Sequence, residues 1–282
     1  MTDAATRVRS LKVTTTAVAS HERDVPVEVP VALVYDGTTY AVMMASPTDL
    51  EDFAIGFSLS EGVIRAPEDV ASLEVLEHDN GVELRMWLVE GRARDLVARR
   101  RQITGPTGCG LCGIESLDAV TSALPRVDSD VRFDATEIKS ALAALPAAQA
   151  LNQQTRAVHG AGFWTTKQGL VAIAEDVGRH NALDKLIGGL RRKAIDLSSG
   201  MILLTSRVSV EMVQKAATAG VPVIVAVSAP TGFALKVAEA AGITLVAIAR
   251  QDGFEIFTHP QRIRGTGDIK RQQKEHAHHA AE

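Results

Sequence analysis

Apolar and polar positions alternate through much of the first third of the chain. Residues 13–44 read as strands: 25–35 runs into Asp36-Gly37, a two-residue hairpin signal, and 38–44 returns. Ser46, Pro47, Thr48 and Asp49 then open a helix expected to reach Ser60. Leu50, Phe53, Ala54 and Phe57 share one of its faces, and Gly62 closes it. Residues 71–77 and 82–89 alternate across Asp79-Asn80-Gly81, which predicts a second hairpin. This order describes a small α+β unit over residues 13–91.

Further on the pattern shifts to helical spacing and continuous apolar runs. Asp134 and Glu137 have capping-box spacing and predict a helix to about Ala144, stopped before Pro146. Residues 157–165 and 170–175 form a predicted hairpin across 166–169. Residues 181–193 follow as a helix with Leu183, Leu186, Ile187 and Leu190 in its apolar stripe. Strands at 201–205, 223–227 and 243–249 then alternate with helices at 210–219 and 233–241, which end at Gly220 and Gly242. Such an alternation with wholly apolar strands predicts a parallel sheet covered on both faces. Residues 134–264 are thus expected as an α/β domain, with 92–133 as a connecting segment. Residues 1–12 and 265–282 are polar and expected to be disordered tails; the second carries His276, His278 and His279.

In open α/β sheets, ligands gather beyond the carboxyl ends of the strands. Those ends carry Thr205, Ser206, Arg207 and Ser209, then Ser228 and Thr231, then Arg250. Hydroxyls, guanidinium groups and helix N-termini together suit a phosphate or pyrophosphate. Ser209 and Thr231 are equally suited to plain helix capping. Neither a Walker A nor a Gly-x-Gly-x-x-Gly sequence is present, which argues against an ordinary NTPase or dinucleotide enzyme.

Composition narrows the class without naming it. The 282 residues are 46% apolar and 23% charged with net charge −4, so nothing global calls for nucleic acid. The longest apolar stretch, residues 221–229, contains Pro222 and is far too short for a membrane span. Residues 1–10 hold no apolar run of the secretory kind, and two cysteines suit a reducing cytoplasm.

Both cysteines lie in Gly108-Cys109-Gly110-Leu111-Cys112-Gly113, downstream of Arg92, Arg94, Arg99, Arg100 and Arg101. Glycines let the backbone present both sulfurs, and nearby cations lower a thiol pKa. Three chemistries fit such a pair: a redox dithiol, half of a zinc site, or a sulfur-carrying nucleophile with a neighbouring thiol. No second Cys pair exists to close a zinc site within one chain. Residues 175–181 also concentrate functional groups in a strand-to-helix turn. His180 and Asp176 could form a proton-transfer pair there; alternatively Asp176 and Asn181 cap the helix while His180 packs at its base. His159, beside Gly160 and Gly162, is open to the same two interpretations.

Taken together, GCGLCG (108–113), HGAGF (159–163), EDVGRHNALDK (175–185), SVEMVQK (209–215), SAPT (228–231) and THPQR (258–262) resemble the formate dehydrogenase accessory sulfurtransferases, the FdhD family. The resemblance spans all but the tails. It implies a cytoplasmic carrier, expected as a homodimer, that takes persulfide sulfur from a cysteine desulfurase. The sulfur would pass to the molybdenum bis(molybdopterin guanine dinucleotide) cofactor, a bound substrate, before insertion into formate dehydrogenase. By this resemblance Cys109 holds the persulfide and Cys112 assists. Ile248, Ala249, Arg250, Gln251, Asp252 and Gly253 match the family's cofactor-binding segment, and Ser206, Arg207, Ser228, Thr231 and His180 are expected to complete the site. The family is also similar in fold to cytidine deaminases, which predicts a three-layer sheet domain beside the smaller N-terminal α+β domain. A deaminase needs His-x-Glu and Pro-Cys-x-x-Cys to hold zinc. The matching turns here read Arg179-His180-Asn181 and Ser206-Arg207-Val208-Ser209, so no catalytic zinc and no deamination are expected. Two other functions remain compatible with the residues: a non-catalytic cofactor chaperone with structural or zinc-bound cysteines, and a dithiol–disulfide oxidoreductase.

Overall fold

The computed structural model describes residues 3–92 and 124–265. Cys109, Cys112 and the His-containing tail lie outside the described residues. Residues 5–12, expected within a disordered tail, instead form most of β1 (Ala5–Val13), which pairs antiparallel with β2 (Val18–Pro26). Cross-strand chemistry accounts for this ribbon: Arg7 Nε donates to Asp24 Oδ1 at 2.9 Å, and the turn closes through Thr14 N to Ala17 O at 2.9 Å.

The expected strand over 25–35 splits, because β2 ends at Pro26 and β3 (Val29–Tyr35) begins a separate sheet. That sheet has the order β4-β3-β6-β5, with β4 at Thr38–Ala45, β5 at Val70–His78 and β6 at Gly81–Leu88. Asp36 (φ 48°) and Gly37 (φ 73°) make the predicted two-residue turn. Helix α1 (Leu50–Ser60) buries Phe53 and Phe57 against a face built of Val31, Leu33, Tyr35, Leu84 and Met86.

The main sheet runs β13-β12-β11-β10-β8-β9. Its centre, β10 (Met201–Leu204), β11 (Val223–Ala226) and β12 (Thr244–Ala247), is parallel as expected. The hairpin of β8 (His159–Thr165) and β9 (Gly169–Asp176) joins it through an antiparallel β8–β10 pair, and β13 (Glu255–Ile256) adds antiparallel to β12. The sheet is therefore mixed rather than wholly parallel. Side chains alternate between two cores. Ile202, Leu204, Ile224, Ala226 and Leu245 face α4 (Arg179–Arg192), α5 (Val210–Ala219) and α6 (Gly232–Ala241). Met201, Leu203, Val223, Val225 and Val246 face α2 (Ala135–Ala148). Short β7 (Phe133–Asp134) and β14 (Ile263–Arg264) pair beside α2, and α3 (Ala150–Thr155) follows it.

Helix α2 does not stop before Pro146; the proline sits within it. Its position close to the C-terminal end limits the loss to one late hydrogen bond. Gln153 Nε2 donates to Pro146 O at 2.6 Å and to Ala147 O at 3.1 Å, satisfying carbonyls that the helix end leaves free.

Helices α1 and α4 join the two sheets by crossing at Gly56 and Gly188. A Cβ at Gly56 would lie 1.8 Å from Asp184 O, and one at Gly188 would lie 1.9 Å from Asp52 O. Only glycine permits that approach. A single apolar core accordingly runs from Val31 in the first sheet to Ala247 in the second.

Candidate functional site

The carboxyl ends of β9, β10, β11 and β12 and the start of β8 share one edge of the sheet. At that edge the strand-end loops are bonded to each other. Val208 N donates to Ala229 O at 3.3 Å and Thr231 N to Val208 O at 2.9 Å. Ile248 N donates to Ser228 O at 3.2 Å and Ala249 N to Ala226 O at 3.0 Å. Arg250 and Gly253 close a tight turn, with Arg250 N on Gly253 O at 2.8 Å. Ser206, Arg207, Ser228, Thr231 and residues 248–253 thus come together on one rim, where Arg207, Arg250, Gln251 and Asp252 are exposed. Ile248 takes φ 51°, an unfavourable conformation for a β-branched residue, at the bend of this segment.

Beneath the rim lies a buried ion pair that sequence reasoning did not identify. Asp176, at the end of β9, is fully buried and accepts from Gly178 N at 2.7 Å, Ser46 N at 2.9 Å and Asn181 Nδ2 at 3.0 Å. Lys185 Nζ approaches Asp176 Oδ2 to 2.7 Å and donates to Ser46 O at 2.9 Å. Asp176 therefore fastens β4 to the start of α4, and its oxygens are occupied. No hydrogen bond joins it to His180, so the proton-transfer pairing of these two does not form. The signal was present in EDVGRHNALDK, since a lysine nine positions after a strand-end aspartate falls less than two turns into the helix that starts at Arg179, and its long side chain can reach back toward the N-terminus. A second buried pair stands on the same helix: Lys215 Nζ contacts both Asp184 oxygens at 2.9 Å, and Ser60 donates to Asp184 Oδ1 at 2.7 Å. Burial pushes the Asp184 carboxyl up, against the pull of Lys215.

Around His180 the pattern reverses. Arg179 Nε, His180 Nε2, Ser209 Oγ and Glu211 Oε2 are all shielded from solvent, and none has a hydrogen-bond partner among the described residues. Burial, reinforced by the charges of Arg179 and Lys215, lowers the His180 pKa to about 4, with Glu211 opposing. The imidazole is therefore neutral near pH 7. Half-buried His159, at the start of β8, is also shifted down, first by burial and then by Arg179. Gln149 Nε2, another unpartnered atom, rests against Gly160, where a Cβ would meet it at 2.4 Å. The two expected caps diverge: Thr231 Oγ1 accepts from Ala234 N at 3.3 Å and caps α6, whereas Ser209 makes no side-chain cap for α5.

This rim, with its buried polar cluster, falls inside the stretch 26–264 that matches the FdhD/NarQ family. The chain belongs to the FdhD/NarQ family. Family relatives include the sulfur carrier protein FdhD of Agrobacterium fabrum, 52% identical over 87% of this chain and 91% of its own length. That of Brucella abortus is 51% identical over 86% of this chain and 90% of its own. A crystal structure described as a formate dehydrogenase accessory protein from Desulfotalea psychrophila matches with a TM-score of 0.73 at 27% identity, covering 93% of this chain and all of that one. Among the described residues of this FdhD/NarQ member, no helix is long and apolar enough to cross a membrane.

Proposed function

We propose that this protein is a sulfur carrier serving formate dehydrogenase. It accepts persulfide sulfur on Cys109 from a cysteine desulfurase and delivers it to the molybdenum bis(molybdopterin guanine dinucleotide) cofactor, held as substrate on the strand-end rim. The observation that carries the substrate half is the bonding of loops 205–209, 227–231 and 248–253 into one surface bearing Arg207 and Arg250. Guanidinium groups and helix N-termini on such a surface suit the phosphates of a dinucleotide. The unpartnered atoms of Arg179, His180, Ser209 and Glu211 supply further donors and acceptors beside it. About 50% identity to proteins named as sulfur carriers supports the sulfur half.

In this mechanism the Cys109 thiolate attacks the terminal sulfur of the donor persulfide. The new S–S bond makes Cys109-S-SH, and the donor cysteine leaves as thiolate. Cys112 then attacks Cys109 Sγ, which sends the terminal sulfur to the cofactor as hydrosulfide and leaves a Cys109–Cys112 disulfide. A cellular dithiol reductant resets the pair. The three-layer arrangement, a hairpin followed by a helix and alternating strands and helices, supports a cytidine-deaminase-like ancestry without deaminase chemistry. A cytoplasmic homodimer is the assembly we expect.

Intact-mass measurement after incubation with a cysteine desulfurase and cysteine tests the carrier step. A reducible gain of one sulfur, about 32 Da, lost in Cys109→Ala, is expected. No gain beside a demonstrably active donor would sink the persulfide mechanism.

A further inference from the structure

At the edge of the molecule away from the rim, a cavity of about 380 Å³ opens between the C-terminal parts of α1, α4 and α5. Helix α5 leaves the rim after β10 and reaches this cavity with Lys215 and Thr218. Helix α4 likewise starts at the rim with Arg179 and presents Arg191 here, about 18 Å further along its axis. The volume lies within the range of small-ligand pockets, roughly 300–1,000 Å³. Buried Leu59, Ile64 and Ile187 make an apolar floor. The polar side is cationic: Arg65, Arg191 and Lys215 line it, and among the described residues no carboxylate does.

Structural duties do not use these charges up. Arg192, the next residue along, is held by Glu51 and Asp52. Arg191 makes a single bond, from Nη2 to Ala219 O at 2.7 Å, and a guanidinium carries five N–H groups. Arg65 bonds through its backbone, N to Asp69 Oδ2 at 2.7 Å, and its exposed guanidinium has no partner among the described residues. Lys215, only 8% exposed, is balanced by both Asp184 oxygens at 2.9 Å, with Glu61 at 4.0 Å, so the excess charge rests on the two arginines. Nor do the helix ends require them. Gly62 N and Val63 N already donate to Leu59 O and Ser58 O, and Gly220 N and Val221 N to Ala217 O and Ala216 O.

Two unbalanced guanidinium groups above an apolar floor suit an oxyanion attached to a compact apolar body. A planar carboxylate is filled by one guanidinium fork, whereas a tetrahedral dianion offers acceptors to groups arriving from several helices. We propose that this cavity binds a small phosphomonoester. Its phosphate takes Arg65 and Arg191, with the Thr218 hydroxyl as a further donor, and its carbon skeleton covers Leu59, Ile64 and Ile187. The ligand bridges α1, α4 and α5 at the end remote from the rim.

Calorimetric titration of the full chain at low ionic strength with phenyl phosphate, inorganic phosphate and benzoate tests the site. One phenyl phosphate per chain is expected to bind, roughly tenfold tighter than inorganic phosphate because its ring covers the floor. Benzoate should bind more weakly than phenyl phosphate. Arg65→Gln, at an exposed position, should weaken phenyl phosphate at least about tenfold. Thr218→Glu, also exposed, sets a carboxylate in the cavity and should abolish binding while the ligand-free melting temperature stays level. The rim offers the other cationic surface, so Arg207→Gln/Arg250→Gln is the discriminating variant, and phenyl phosphate should still bind to it. Loss of binding there, with retention in Arg65→Gln and Thr218→Glu, would assign the anion to the rim and overturn the cavity site. Inorganic phosphate or benzoate binding as tightly as phenyl phosphate would overturn the phosphomonoester, and no binding of any of the three would overturn the site itself.

Discussion

Lys185 Nζ stands 2.7 Å from Asp176 Oδ2, with both side chains wholly withdrawn from solvent. Each charge is tolerated because the other is there. Lys185→Met leaves the Asp176 carboxylate without a counter-charge, and a loss of about 3–5 kcal/mol is expected in urea unfolding. The double variant Lys185→Met/Asp176→Asn should be more stable than Lys185→Met alone, because the stranded charge is gone. A change below about 1 kcal/mol in Lys185→Met would show the pair to be dispensable.

Gly188→Ala places a Cβ 1.9 Å from Asp52 O, a backbone atom that no rotamer change can move. The α1–α4 crossing must then open, at a cost of at least about 3 kcal/mol. Gly232→Ala, in the first turn of α6 with nothing within 4 Å of the added methyl, is the matched control. Its melting temperature should stay level or rise, since alanine favours helix. Equal effects at both positions would contradict the close crossing.

His180 makes stability depend on pH between its unfolded value of 6.5 and its folded value of about 4. In that window the unfolded chain holds a proton that the folded chain rejects, so stability rises with pH. The contribution is complete above the unfolded value and disappears as pH falls through the folded one. After allowance for partial exposure it amounts to about 2–3 kcal/mol. Urea midpoints of wild type and His180→Gln, compared at pH 7 and pH 4.5, should diverge at neutral pH and converge on acidification, or the group is not buried neutral.

Thr231→Ala removes a cap and should cost about 1 kcal/mol. Ser209→Ala, at the equivalent position of α5, removes a hydroxyl that caps nothing and should cost less than about 0.5 kcal/mol. Thermal denaturation separates the two; a larger loss in Ser209→Ala than in Thr231→Ala would make Ser209 structural.

Local rules account for what the sequence revealed. Helix α5 spans Val210–Ala219 as its Ser209 start and Gly220 stop indicate, and Asp36-Gly37 turns β3 into β4. That the strand-end loops would share one rim was legible because topology alone aligns the ends of parallel strands. What escaped depends on distant partners. Strand β1 is polar and pairs with β2 through contacts such as Arg7 with Asp24, so on its own it reads as a tail. Strand β8 carries an apolar signature that does not tell which way it pairs with β10, and β13, only Glu255–Ile256, is too short to leave a pattern. Ser209 and Thr231 look alike in sequence, and only packing decides that Thr231 caps its helix and Ser209 does not. In residues 175–185 the charged groups were visible, but whether Asp176 would pair with His180 or with Lys185 was a question of direction around a helix.

The meeting of Gly56 with Gly188 has a mechanical consequence. Where side chains intervene between helices, small displacements are absorbed by rotamers; where backbone touches backbone there is nothing to yield. Helices α1 and α4 therefore move as one rigid beam, with the N-terminal sheet at one end and the Arg179–His180 turn at the other.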